Sequence, residues 1–160
     1  MTALLPEIAV VAAAAATAGA GYAVRRLRHR RAIASIPIRI HVGGTRGKSA
    51  TTRLIAAGLR AGGIVTVAKT TGTEPRWIGP DGAETSWRRS APASIAEQFA
   101  FVRRAHRAGA RAFVLECMAI RPELVRACER LIVEATIAVV TNVRPDHLEE
   151  SDAAAAALEL

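Results

Sequence analysis

Lys48 and Ser49 close the run Gly44-Thr-Arg-Gly-Lys-Ser49, and both side chains have the chemistry to hold a phosphoryl group. An ammonium suits a β- or γ-phosphate, and a hydroxyl is an oxygen ligand of the kind Mg²⁺ takes. Gly44 and Gly47 let backbone N–H groups approach phosphate oxygens closely, while a helix opening at Lys48 adds the partial positive charge of its N-terminus. The preceding Ile38-Arg-Ile-His-Val42 reads as a buried strand, so strand, turn, Lys-Ser and helix follow in the order a phosphate cradle needs. The full P-loop pattern asks for glycine at position 42, where this chain has Val42. The match is therefore to the shorter Gly-Thr-x-Gly-Lys-Ser form. A glycine-rich turn without a ligand is the plainer alternative.

Three more polar groups follow apolar runs in the same way. Glu116 ends Ala112-Phe-Val-Leu-Glu116, where an unpaired carboxylate is costly to bury. Either a cation such as Mg²⁺ or a salt bridge to Arg121 or Arg144 removes that cost. His147 lies in Thr141-Asn-Val-Arg-Pro-Asp-His147. Alone it reads as a surface loop histidine; beside Glu116 and a P-loop it becomes a candidate metal ligand. Asp146 either orients His147 or shapes the turn after Pro145, and Asn142 bonds either the turn backbone or a ligand. No Ser/His/Asp or Cys/His arrangement for nucleophilic catalysis is legible. Cys117 and Cys128 show neither metal-ligand spacing nor a disulfide framework, which fits a reduced compartment.

These groups require a scaffold. Apolar, β-branched runs predict strands at 38–42, 64–68, 112–118 and 135–142, the last a buried one. Between them, helical character is expected over 48–61, stopped by Gly62-Gly63, and over 122–131, opened by Pro122. Ser94-Ile-Ala-Glu97 reads as a capping box for another helix, whose Arg103, Arg104 and Arg107 would form a solvated face. Gly79-Pro-Asp-Gly82 predicts a small exposed hairpin, and Ser151 a cap for a final Ala-rich helix. Strands alternating with helices, apolar on both faces, argue an α/β fold with a doubly wound parallel sheet. In such sheets ligands bind at the C-terminal ends of the strands, where all these polar groups collect.

Of 160 residues, 51% are hydrophobic and only 4% aromatic, so Ala, Val, Ile and Leu must build the core. The net charge of +8 would raise nucleic acid as a partner. Five arginines, however, sit in Arg25-Arg-Leu-Arg-His-Arg-Arg31 with no interleaved aromatics, which excludes a base-stacking surface there. They directly follow residues 8–24, which carry no charge and reach the lower end of membrane-spanning length. The charge comes after the apolar run, unlike a cleaved signal peptide. The expectation is one membrane anchor at 1–24, a basic juxtamembrane linker at 25–37 and an α/β domain at 38–160. The positive-inside rule puts that domain in the cytoplasm. A soluble Ala-rich helix is the alternative.

Together, Gly44-Thr-Arg-Gly-Lys-Ser49, Glu116 and Thr141-Asn-Val-x-x-Asp-His147 resemble the ATP-binding central domain of Mur-type amide ligases. His41-Val-x-Gly-Thr-Arg-Gly-Lys-Ser49, Ile78-Gly-Pro-Asp-Gly82, Glu116-Cys-Met-Ala119 and Thr141-Asn-Val-Arg144 are more similar still to the ligase subunits of poly-γ-glutamate synthases, the PgsB/CapB type. The resemblance implies ATP and Mg²⁺ as cofactors, and glutamate joined to a growing chain through an acyl phosphate. Gly44, Thr45, Arg46, Gly47, Lys48, Ser49 and Asn142 would bind the nucleotide. Lys48, Glu116 and His147 would serve catalysis, with Ser49 on one Mg²⁺ and Glu116 and His147 on a second. Integral membrane subunits of an export complex would be partners. Such ligases carry a further C-terminal domain and many carry a carbamylated lysine. Nothing before residue 160 corresponds to either, so the chain is expected to be an N-terminal portion. Other readings are a different Mur-type ligase (folylpolyglutamate or cell-wall precursor), a membrane-tethered P-loop ATPase, or a non-catalytic nucleotide-binding module.

Overall fold

The computed structural model describes residues 4–72, 74–89, 93–119 and 121–144, with the side chains of residues 4–6 left aside. The expected Asp146, His147 and the helix from Ser151 lie outside the described residues.

In chain order the elements are α1 (Leu4–Ala34), β1 (Ile38–Gly43), α2 (Lys48–Ala61), β2 (Thr66–Lys69), β3 (Arg76–Ile78), β4 (Glu84–Ser86), α3 (Glu97–Arg107), β5 (Ala112–Glu116), α4 (Pro122–Cys128) and β6 (Ile137–Val140). A π-helical turn, Glu129–Val133, continues α4. One six-stranded sheet has the order β4-β3-β2-β5-β1-β6. Its four strands β2, β5, β1 and β6 run parallel, and the β3–β4 hairpin adds an antiparallel edge. The mixed sheet, mostly parallel, is the expected α/β class; the hairpin expected to be exposed instead extends the sheet, with Trp77 and Ile78 of β3 buried and only β4 exposed.

Alternation along the strands supplies two cores. Val67, Phe113 and Leu115 point to one face, against Ile33 and Ile36, Phe101 and Val102 of α3, and Ile132 and Val133. Ile40, Val42, Ala68 and Val114 point to the other, against Ala56 and Leu59 of α2. Helices therefore cover both faces, as a parallel sheet requires. Each fully buried Leu, Ile or Phe contributes about 1.5–3 kcal/mol relative to exposure.

Four further expectations need correction. The segment expected to be a linker is helical through Ala34, and Ala32, Ile33 and Ile36 are buried in the core. Its apolar residues pack under the sheet, so a hinge there would expose them. The capping box does not form: α3 starts at Glu97, the Ser94 hydroxyl accepts from the Ala96 N–H, and Glu97 turns to Lys69 instead. Arg104 is not simply solvated, because its guanidinium lies 4.1 Å from the Trp77 ring centroid. The strand expected to be buried at 135–142 is the shorter β6, which among the described residues pairs on one side only, with β1, and leaves Ile137 and Val140 exposed. Apolar content revealed that it was a strand but not that it lay at an edge.

Candidate functional site

The C-terminal ends of β1, β5 and β2 and the segment after β6 meet at one edge of the sheet. Parallel register puts Val42 beside Glu116 and Gly43 beside Val140, so the ends of the three strands β5, β1 and β6 are level. The turn after β1 is a left-handed excursion. Gly44 has φ +113° and Gly47 φ +84°, and Gly47 is the residue from which α2 departs. At Gly44 a Cβ would strike the Thr141 hydroxyl and approach the Asn142 carbonyl to 2.8 Å, so glycine is required there twice over.

That turn is locked by the segment after β6. The Thr45 N–H donates to the Asn142 carbonyl (3.0 Å), the Arg46 N–H to Asn142 Oδ1 (3.2 Å), and Asn142 Nδ2 to the Arg46 carbonyl (2.9 Å). The Thr141 hydroxyl lies 2.7 Å from the same carbonyl, and Thr45 Oγ1 donates to the Arg144 carbonyl at 3.1 Å. Of the two roles open to Asn142, this is the bond to the turn backbone. Thr141 was missed as a site residue, although it opens the Thr-Asn motif.

Lys48 folds back over the turn, donating to the carbonyls of Gly44 (2.7 Å) and Thr45 (3.1 Å). Glu116 is buried, and its Oε2 accepts from the Ser49 hydroxyl (2.8 Å) and the Thr71 N–H (2.9 Å), rather than from Arg121 or Arg144. Gly44, Thr45, Arg46, Gly47, Lys48, Ser49, Glu116 and Asn142 are thus brought to one place. His147 lies outside the described residues. Among those described, no group of three His, Cys, Asp or Glu side chains could hold a metal. The Ser49 and Glu116 oxygens, 2.8 Å apart, do match the separation of about 3 Å between neighbouring ligands around Mg²⁺. A Mg²⁺ bound there would need phosphate oxygens and water to complete its shell, which is how that ion is usually held. The glycine turn at a helix N-terminus fits the phosphates.

Sequence reasoning also missed a buried ionic network behind this site. Lys69, fully buried at the end of β2, donates to Glu97 Oε1 at 2.6 Å, and Arg89 Nε donates to Glu97 Oε2 at 2.9 Å. Arg89 also reaches the Thr71 carbonyl at 3.5 Å, so the network braces the loop that touches Glu116. Burial pushes the Lys69 ammonium below its ordinary pKa, against the pull of Glu97. Burial by itself would raise the Glu97 carboxyl, but the hydrogen bonds from Arg89 and Lys69 outweigh it and hold Glu97 low. The signal was present: Lys69 falls at an inward position of an apolar strand. A second pair joins His41 Nδ1 to Glu129 Oε2 at 2.9 Å, inside the sheet and behind β6. Burial opposes the imidazolium, but Cys117 and the Glu129 carboxylate outweigh it and push His41 up to about 9.

The family is shown by comparison with known proteins. Residues 42–157 match the model of the Mur ligase middle domain, and the chain belongs to that family. Within it, the resemblance is to the CapB type. The chain is 36% identical over 129 residues to "PGA synthase CapB" of Bacillus subtilis (strain 168), covering 79% of this chain and 33% of that protein. It is 37% identical over 124 residues to "Capsule biosynthesis protein CapB" of Bacillus anthracis, covering 76% of this chain and 26% of that one. The chain thus spans about a quarter to a third of the length of these curated relatives. One described helix, over Glu7–Ala34, is long and apolar enough to cross a membrane.

Proposed function

We propose that this chain carries the ATP-binding part of an ATP-dependent carboxylate–amine ligase that adds glutamate to poly-γ-glutamate, anchored in the cell membrane with the α/β domain in the cytoplasm. The observation that carries the reading is the meeting of the Gly44–Ser49 turn with a buried Glu116 whose hydrogen bonds, among the described residues, come from the Ser49 hydroxyl and the Thr71 amide. Likeness to CapB over most of the chain supports the choice among Mur ligases.

On this reading the backbone N–H groups of the turn hold the triphosphate at the start of α2. Lys48 leaves the two carbonyls it now caps and moves onto the β/γ-phosphates, where it offsets charge developing on the transferred phosphoryl group. Mg²⁺ would be held by Ser49 and Glu116, with His147 a further candidate, and would supply charge neutralisation at the phosphates. The glutamate carboxylate oxygen attacks the γ-phosphorus and ADP leaves. An incoming amine then attacks the acyl carbon, and inorganic phosphate leaves as the amide forms. Both nucleophiles come from substrates, so no side chain of the chain is required to form a covalent intermediate. The Lys69–Glu97–Arg89 network fixes the 70–72 loop beside Ser49 rather than reacting. Integral membrane subunits would take up the polyanionic product.

The test is ADP release in membranes carrying the chain together with the synthase subunits. Release should require glutamate and vanish with Lys48→Ala. Release indifferent to glutamate would overturn the ligase reading in favour of a membrane-tethered ATPase.

A further inference from the structure

α1 does more than enter the domain. Tyr22, Arg25, Arg26, His29 and Arg30 recur at helical spacing, so they share one face, and that face lies along a groove of about 530 Å³. Across the groove stand Phe99 and Arg103 of α3, and Arg130, Leu131 and Glu134 around the π-helical turn. Five arginines thus face one glutamate. No ion pair among the described residues engages any of the five. Among the described residues, the side-chain hydrogen bond from this set is Arg26 to the Tyr22 hydroxyl, at 3.3 Å.

The groove is built rather than merely charged. His29 is 6% exposed and packs edge-on to Phe99, with ring centroids 4.7 Å apart. Its Nε2 donates to the Ile132 carbonyl at 2.8 Å, which leaves Nδ1 buried without a partner in the wall of the groove. Phe99 and Leu131 provide apolar floor next to the guanidinium groups, and Leu131 is 53% exposed. The contacts His29 to Phe99 and Ser35 to His106 show that α1 and α3 run side by side in the same direction. The groove therefore continues toward the apolar stretch of α1, and Tyr22 stands where that stretch ends.

We infer that this groove binds the headgroup of an anionic phospholipid from the bilayer that α1 enters. Arginine forks hold the phosphate diester bidentately, and the glycerol and first acyl carbons lie on Phe99, Leu131 and Tyr22. Its volume falls in the range of small-ligand sites. Charge complementarity and continuity with the candidate span single out a lipid, and basic pockets beside membrane helices commonly take such headgroups. The site is separate from the Gly44–Ser49 turn; it rests on the proposed anchoring of α1 in a bilayer and not on the ligase chemistry.

The test uses the whole chain, extracted in mild detergent and exchanged into nanodiscs of phosphatidylcholine with or without phosphatidylglycerol, and reads the lipid retained by native mass spectrometry. Arg103→Gln/Arg130→Gln lies off the anchor helix, so anchoring is untouched. Retained phosphatidylglycerol should exceed phosphatidylcholine at least tenfold, and the double variant should lose that excess while keeping the wild-type melting temperature. Equal retention of both lipids, or retention unchanged in the double variant, would overturn the inference. So would release of phosphatidylglycerol by inorganic phosphate or by a poly-γ-glutamate oligomer at equal concentration, which would assign the groove to a soluble anion. If the double variant melts early, Arg103→Lys/Arg130→Lys replaces it. That variant keeps the charge and loses the forks, and unchanged retention in it would refute the bidentate site.

Discussion

Replacing Gly44 by alanine separates the phosphate turn from an ordinary flexible loop. Two costs add at that position. A φ of +113° lies in a region that side chains avoid, at about 1–3 kcal/mol. The new Cβ also meets the Thr141 hydroxyl, which must leave the Arg46 carbonyl 2.7 Å away. Losing that bond and straining the bonds of Asn142 costs about 1–2 kcal/mol more. Gly47→Ala bears only the first kind of cost, because φ is +84° there and no atom lies within 4 Å of the added carbon. Left-handed geometry of that sort costs about 1–2 kcal/mol. Thermal unfolding followed through Trp77 and Trp87 fluorescence should therefore show Gly44→Ala lowering Tm by about 10 °C and Gly47→Ala by about 4 °C. Thr141→Ala should remove the hydroxyl part of the cost of Gly44→Ala while leaving the backbone contact with the Asn142 carbonyl, a coupling of about 1 kcal/mol in a double-mutant cycle. Equal losses at the two glycines, or strict additivity with Thr141→Ala, would refute the proposed lock.

Lys48→Ala should weaken binding of a fluorescent ATP analogue at least tenfold, about 1.4 kcal/mol, and unchanged affinity would remove Lys48 from the phosphate site. Glu116→Gln keeps an acceptor for Thr71 but loses charge, so the Mg²⁺ concentration giving half-maximal nucleotide binding should rise roughly tenfold; an unmoved midpoint would argue against a metal there. Glu97→Gln leaves buried Lys69 without its carboxylate and should cost about 3–5 kcal/mol in urea unfolding, with Lys69→Met/Glu97→Gln recovering part of it. His41, lifted from 6.5 to about 9, adds stability that is complete below pH 6.5 and is lost as pH rises through 9. The gap in stability between wild type and His41→Asn should accordingly narrow by about 3 kcal/mol across that window, and a gap independent of pH would refute the charged pair.

How far these features could be read in the sequence follows from how local each one is. The Gly44–Ser49 turn is local, since strand, glycines, Lys48 and Ser49 are adjacent, and the order strand, turn, helix was legible. Glu116 was legible because a carboxylate closing an apolar run demands an explanation. Strand order was not, and with it went the edge position of β6 and the pairing of Thr141 and Asn142 with the turn nearly a hundred residues earlier. Glu97 is the clearest case of tertiary context overriding local pattern. Ser-x-x-Glu spacing satisfied a helix cap on paper, yet the buried ammonium of Lys69 offered that carboxylate a stronger partner. The segment 25–37 differs from the expected linker for the same reason: its charge and its proline are local signals, whereas the burial of His29, Ala32 and Ile33 depends on the helix α3 and the sheet they pack against.

The shared direction of α1 and α3 has a consequence for where the site faces. Helix α3 begins beside Lys69 at the C-terminal end of β2 and ends at Arg107, ahead of β5. Its start therefore marks the sheet edge that carries the phosphate turn. Since α1 runs alongside in the same sense, its apolar stretch leaves the domain toward that same edge. A bilayer entered by α1 then lies on the side of the strand ends, with the arginine-lined groove between. On the proposed reading a polyanionic chain would grow on the membrane side of the domain. With the groove arginines engaged by lipid phosphate, any attraction of such a chain to the remaining surface charge would be screened within about 8 Å at physiological salt. A phosphate bound by backbone amides at the Gly44–Ser49 turn would, by contrast, be held by fixed geometry that salt does not weaken as readily.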